Sequence, residues 1–173
     1  MNDDDRLPVD ALGRPLAPRL QPGYYPGYST LALRDYWDDA TRRTVLKRVL
    51  ELPPIRFFTK EEVPLLQAVV DRVLPQDDRD PARRIPIVPF IDERLHEGKI
   101  DGYRYEGMPP DGDAHRLGLK GVDASARAVF GRSFLELAPG EQDAVLESVH
   151  HGHPKGGEEI WKQLKIDRYW LLL

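Results

Sequence analysis

FFTKEEVPLLQAVVDRVLPQDDRDPARRIPIVPFIDERL, residues Phe57 to Leu95, opens on a helix-start signal. Thr59 stands where an N-cap hydroxyl accepts from the backbone, and Glu62 stands where a carboxylate reaches back to the Thr59 N–H. Phe58 and Val63 flank that box at the positions of a hydrophobic staple. Val63, Leu66, Val70, Val73 and Leu74 then fall on one stripe at helical spacing, widened by Val69 and Leu65. Glu61, Gln67, Asp71 and Arg72 take the opposite side. Pro75 stops the pattern, because a helix rarely runs through a proline. After the turn Gln76 to Pro81, a second short apolar helix is expected from roughly Pro86 to Glu97, stopped by Gly98.

Two helices joined by LPQDD and followed by IPIVPFIDERL resemble the gluconate 2-dehydrogenase subunit 3 family. The resemblance runs from about Pro22 to the end and includes PGYYPGYSTL, WDDATRRTVLKRV and FGRSFLELAPGEQDAVL. It implies a small, cofactor-free subunit of a flavin-dependent sugar or sugar-acid dehydrogenase. Such motifs report a shared fold and mode of assembly; none is a catalytic signature.

The 173 residues fit one domain with a sizeable core and a few appendages. A formal charge of -4, from 25 basic and 29 acidic side chains interspersed, does not describe a nucleic-acid or membrane-seeking surface. The chain has no cysteine, which excludes disulfides, thiolate zinc sites, iron–sulfur ligation and c-type haem attachment. No apolar run approaches the length of a membrane span. MNDDDRLPVD is acidic and proline-broken, unlike a secretory leader. Thr41 to Lys47, TRRTVLK, imitates a twin-arginine export signal, but Arg48, Glu51, Pro53 and Pro54 follow where an apolar region is required. It reads as one face of an amphipathic helix, and a cytoplasmic location is expected, or a periplasmic one if an exported partner carries the chain.

Residues 1–21 are polar and proline-rich, so an extended or disordered arm is expected, followed by a single helical domain over 22–173. Tyr24, Tyr25 and Tyr28 sit between proline and glycine turns; they either lie on the domain's own surface or form an aromatic contact strip for a partner. A helix is expected from about Leu33 to Leu50, with Trp37, Val45, Leu46, Val49 and Leu50 on its apolar side. Gly98 to Leu119, GKIDGYRYEGMPPDGDAHRLGL, reads as a long glycine-rich loop, functional or draped over a partner. A short helix capped by Asp123 follows and ends at Gly131, and the next starts at Pro139 and ends at His150-His151-Gly152. The last runs from about Glu158, with Ile160, Trp161 and Leu164 on one stripe. Its end, Trp170-Leu171-Leu172-Leu173, is apolar on every side and needs a cover: this chain, a partner, self-association, or more polypeptide. The resemblance implies the last, since family members continue into an aromatic, glycine-rich tail.

Candidate chemistry is sparse. His150, His151 and His153 form HHGHP, but adjacent histidines at a helix end point about 100° apart, so only two converge easily on one metal. Asp77, Asp78 and Asp80 lack the ligand order of a calcium loop and are expected to cap turns or pair with Arg79, Arg83 or Arg84. Ser29, Ser125, Ser133 and Ser148 lie in no nucleophile motif, and no G-x-G-x-x-G or P-loop occurs. No catalytic or cofactor-binding residue is assigned.

The sequence therefore predicts an all-α fold, an irregular bundle of five to seven short helices with long ordered loops. The resemblance implies a non-catalytic accessory subunit that binds and chaperones a large FAD-dependent dehydrogenase of the glucose–methanol–choline type, with the FAD in that partner. Tyr24, Tyr25, Tyr28, Trp170, Leu171 and Leu172 are the candidate interface residues. The alternative is a metal-dependent enzyme built on His150, His151 and His153 with a carboxylate from residues 77–80.

Overall fold

A 20-residue helix, α4 (Asp111–Phe130), organises the larger part of the molecule in the computed structural model, which describes residues 30–79, 84–100 and 105–170. The chain divides into two units, Met1–Glu51 and Leu52–Leu173. The described residues are all-α, with no strand among them.

In the first unit, a 3-10 helix (Thr30–Tyr36) precedes α1 (Asp39–Leu50). The single helix expected over this stretch is broken because Asp38 caps a new one: its carboxylate accepts from the Thr41 N–H (2.8 Å) and the Thr41 hydroxyl (2.7 Å). Arg42 fastens the junction by donating to the carbonyls of Arg34, Asp35 and Trp37 at 3.1–3.3 Å. The arginine pair that imitates an export motif thus contains a structural bracket.

In the second unit, α2 (Glu62–Val73) begins at the expected capping box. The Thr59 N–H donates to Glu62 (2.9 Å) and the Glu62 N–H to the Thr59 hydroxyl (3.3 Å). Leu66, Val69 and Val70 are buried, with Val63, Leu65 and Val73 packed at the margin. Two readings of this helix need correction. Leu74 leaves the stripe, since the chain turns extended there ahead of Pro75, and it is 54% exposed. Arg72, assigned to the solvent side, makes a bidentate pair with Asp143 of α5 (Pro139–His150) at 2.6 and 2.8 Å. The Gln76 side chain brackets Ile85, accepting from its N–H (2.7 Å) and donating to its carbonyl (3.0 Å). Helix α3 (Ile87–His96) follows and ends in a Schellman motif at Gly98: the Gly98 N–H bonds to the Leu95 carbonyl and the Lys99 N–H to that of Arg94.

The stretch read as a long loop is where the sequence misled most. Helix α4 starts at Asp111, and Asp123 lies in its interior, holding Arg127 (2.8 Å) and the Phe134 N–H (2.9 Å). The glycines here are packing sites. A Cβ on Gly112 would lie 2.6 Å from the Phe57 ring, one on Gly118 1.9 Å from that of Tyr169, and one on Gly121 2.5 Å from that of Trp161. Three aromatic side chains press directly on the α4 backbone.

Gly131 in the left-handed region ends α4, as expected. Pro139 opens α5, which buries Val145, Leu146 and Val149 and ends in a second Schellman motif at Gly152. The expected last helix is two short ones, α6 (Glu158–Trp161) and α7 (Ile166–Tyr169). They deliver Trp161 and Tyr169 to α4. Helix α4 also packs against α2 and α5, and α2 against α3 and α5.

Placing alanine at Gly118 sets about 1 kcal/mol of gained helix propensity against overpacking worth about 1–3 kcal/mol or more. At 1.9 Å the overlap is too deep for a ring sealed in the core, so Gly118→Ala is expected to lower the urea midpoint. Gly140→Ala, whose Cβ would meet nothing within 4 Å, should leave it unchanged or raise it.

Candidate functional site

Among its described residues, the second unit buries three polar or charged side chains, Asp92, His115 and Ser125, and the phenol of Tyr169. Asp92 on α3 is fully buried. Its Oδ1 accepts from the Arg56 N–H (2.7 Å), and its Oδ2 from the N–H groups of Phe57 (2.9 Å) and Phe58 (2.8 Å). Arg116 on α4 holds the same segment from the other side. It donates to the Phe57 carbonyl (2.7 Å), lies 4.5 Å over the Phe57 ring, and stands 3.4 Å from Glu62. Ser125 accepts from the Trp161 indole N–H (3.1 Å) and donates to the Gly156 carbonyl (3.4 Å). Asp92 and Arg116 thus hold the segment before α2, and Ser125 ties Trp161 and Gly156 to α4.

The His115 Nδ1 and the Tyr169 hydroxyl are buried without a hydrogen-bond partner, as is the Arg116 Nε, which has only the Glu62 carboxylate at 3.4 Å. Burial pushes the His115 pKa down to about 4, with Arg94 adding to the fall and Asp111 opposing it. Burial likewise pushes the Tyr169 phenol well above its usual range. At neutral pH both are uncharged.

Two open depressions accompany this interior. One, of about 330 Å³, is lined by Phe57, Leu95, Lys99, Ile100, Asp111 and Asp113. The other, of about 210 Å³, lies between α4 and α5 and is lined by Ser125, Val129, Phe130, Val145, Ser148 and Lys155. In the second, the Ser148 hydroxyl is committed to the Val145 carbonyl (2.6 Å).

A family model described as Gluconate 2-dehydrogenase subunit 3 matches residues 60–173. The chain belongs to this family. No curated protein and no solved structure matches it. The matched region starts at the α2 capping box and takes in Asp92, the glycine face of α4 and the aromatic rings of α6 and α7.

Of the residues singled out from the sequence, Tyr24, Tyr25, Tyr28, Asp80, Leu171 and Leu172 lie outside the described residues. Trp170 is half-buried, its ring stacked on His150 with centroids 4.7 Å apart. His150 also stacks on His151 (5.0 Å), and His151 lies 3.7 Å from Glu147. Among the described residues no three histidine or carboxylate side chains come together as metal ligands. Asp77 faces Arg84 at 4.0 Å, an exposed contact. No described helix is long and apolar enough to cross a membrane.

Sequence reasoning missed Asp92, His115, Arg116 and the three helical glycines. The signal for Asp92 was an acid inside an otherwise apolar helical run, IPIVPFIDERL, where a solvent-side carboxylate would serve no caps.

His115 makes a definite pH signature. Its folded pKa lies below the unfolded value of 6.5, so between those values the unfolded chain binds more protons and stability rises with pH. Acidifying from about pH 7 to pH 4 should remove about 3 kcal/mol through this one group. Urea unfolding across that range checks it: His115→Gln should flatten the slope, whatever its effect at pH 7.

Proposed function

We propose that this chain is the non-catalytic small subunit of a flavin-dependent sugar or alcohol dehydrogenase, binding a large partner of the glucose–methanol–choline type. The family match over residues 60–173 carries the reading. The interior agrees with it. Its buried carboxylate holds the segment before α2, its buried hydroxyl holds the Trp161 indole, and its buried histidine is neutral and lies beside Phe58.

The redox chemistry belongs to FAD in the partner; the described helices here offer no strand–turn–helix cradle for a dinucleotide. The small subunit acts by mass action. Because it binds only the folded partner, a concentration 100 times its Kd stabilises that partner by about 2.7 kcal/mol.

Co-expression with a large flavoprotein dehydrogenase of the glucose–methanol–choline type from the same genome tests the proposal. Omitting the chain should cut the yield of soluble, flavin-loaded dehydrogenase several-fold, and the purified chain alone should not oxidise sugars with a dye acceptor. Equal yields with and without it would contradict the reading.

A further inference from the structure

His115 of α4 sits where a neutral ring fits and a charged one does not. It is 4% exposed, and its Nδ1 is buried without a hydrogen-bond partner. The ring stands edge-on to Phe58, with centroids 6.4 Å apart. Two charges act on it from the packed elements: Arg94 of α3, and Asp111 one turn earlier on α4, which themselves stand 3.7 Å apart. Asp92 of α3 is committed to three backbone amides, and Glu62 of α2 to the Thr59 N–H and Arg116. Tyr169 of α7, lying against Gly118, brings only an uncharged phenol. In a protonated imidazole both nitrogens donate. The Nδ1–H would then be a buried donor with no acceptor, on a cation that faces Arg94.

Helix α4 is weakest at this same end. Its N-cap residue, Pro110, gives the first turn no side-chain bond, and Gly112 is a poorer helix former than alanine. The other half is pinned. Asp123 accepts from the Phe134 N–H (2.9 Å), Ser125 accepts from the Trp161 indole (3.1 Å), and the Tyr169 ring lies on Gly118. Ahead of Gly118, the polar contacts to other elements are Arg116 with the Phe57 carbonyl (2.7 Å) and with Glu62 (3.4 Å), and Asp111 with Arg94. The packing of Ala114 and His115 supplies the rest.

We propose that the first two turns of α4, Asp111 to Leu117, form an acid-released flap: protonation of His115 drives them off α3 and the segment before α2, while the remainder of the helix stays docked. Release breaks the Arg116 contact with Phe57 and uncovers the Phe57 and Phe58 rings. The amides of Arg56, Phe57 and Phe58 stay bonded, because their acceptor, Asp92, belongs to α3. The sign follows from linkage. In the open flap the ring is in water and binds a proton at its ordinary value of 6.5, against about 4 when docked. The open form therefore binds more protons between those values and gains as pH falls. From pH 7 to pH 4.5 the opening equilibrium should rise about fiftyfold. The inference concerns the interior of the second unit and does not depend on the accessory-subunit reading.

Native-state hydrogen exchange of the full chain, read by NMR at pH 7 and pH 4.5 and corrected for intrinsic rates, tests it. Urea is added below the unfolding transition. The amides of Ala114 to Leu117 should exchange about tenfold or more faster than those of α5, through an opening that urea barely promotes. That opening should be about fiftyfold more frequent at pH 4.5. His115→Phe keeps a ring beside Phe58 but takes no proton, so it should retain the local opening and lose its pH dependence. Should that variant not fold, the wild-type His115 ring, titrated by NMR, decides the proton step: it should stay neutral well below pH 6.5. Exchange of these four amides at the rate and urea dependence of α5 would mean that only global unfolding frees them, and overturns the inference. So does pH dependence that survives in His115→Phe, or a His115 ring that titrates near 6.5 while the turns remain protected.

Discussion

The second unit depends on one buried carboxylate. Asp92, fully enclosed on α3, gathers the N–H groups of Arg56, Phe57 and Phe58 just before α2 begins. That segment is not helical, so its amides have no ladder to satisfy them, and a buried amide without a partner costs about 1–3 kcal/mol. Asp92 satisfies three at once. Arg116 then takes the Phe57 carbonyl and covers its ring. The two side chains fix the entry to α2 against both α3 and α4, setting how Phe58 enters the core and how Phe57 meets Gly112.

A second constraint follows from the first. With α4 held beside this clamp, its glycine face lies open to receive Trp161 and Tyr169 from the two short helices that end the described chain. Glycine in a helix costs about 1 kcal/mol relative to alanine. Burying two large aromatic side chains against bare backbone more than offsets that, at about 25 cal/mol per Å² of apolar surface. The arrangement leaves the Tyr169 hydroxyl without a partner, and the ring's burial stabilises the fold despite it.

Helix boundaries set by neighbours in sequence were legible. The Thr59–Glu62 box, the glycine stops at Gly98, Gly131 and Gly152, and Pro139 at the start of α5 all stand where local chemistry puts them. What failed was anything decided at long range. Gly112 and Gly118 read as loop residues because the rings they accommodate, Phe57 and Tyr169, lie more than about 50 positions away, a relation no local pattern carries. Asp92 was passed over for the same reason: its partners are 34–36 residues upstream. Membership of the gluconate 2-dehydrogenase subunit 3 family was legible from LPQDD and IPIVPFIDERL, the very segments that hold the Gln76 bracket and Asp92.

If Asp92 governs the architecture as described, the amides of Arg56, Phe57 and Phe58 should behave as core amides although they belong to no helix. Hydrogen–deuterium exchange read by NMR decides this most directly. The three N–H groups should exchange only through global unfolding in the wild-type chain, and Asp92→Asn should release them to fast local exchange while α5 stays protected. Rapid exchange at these three positions in the wild-type protein would contradict the account.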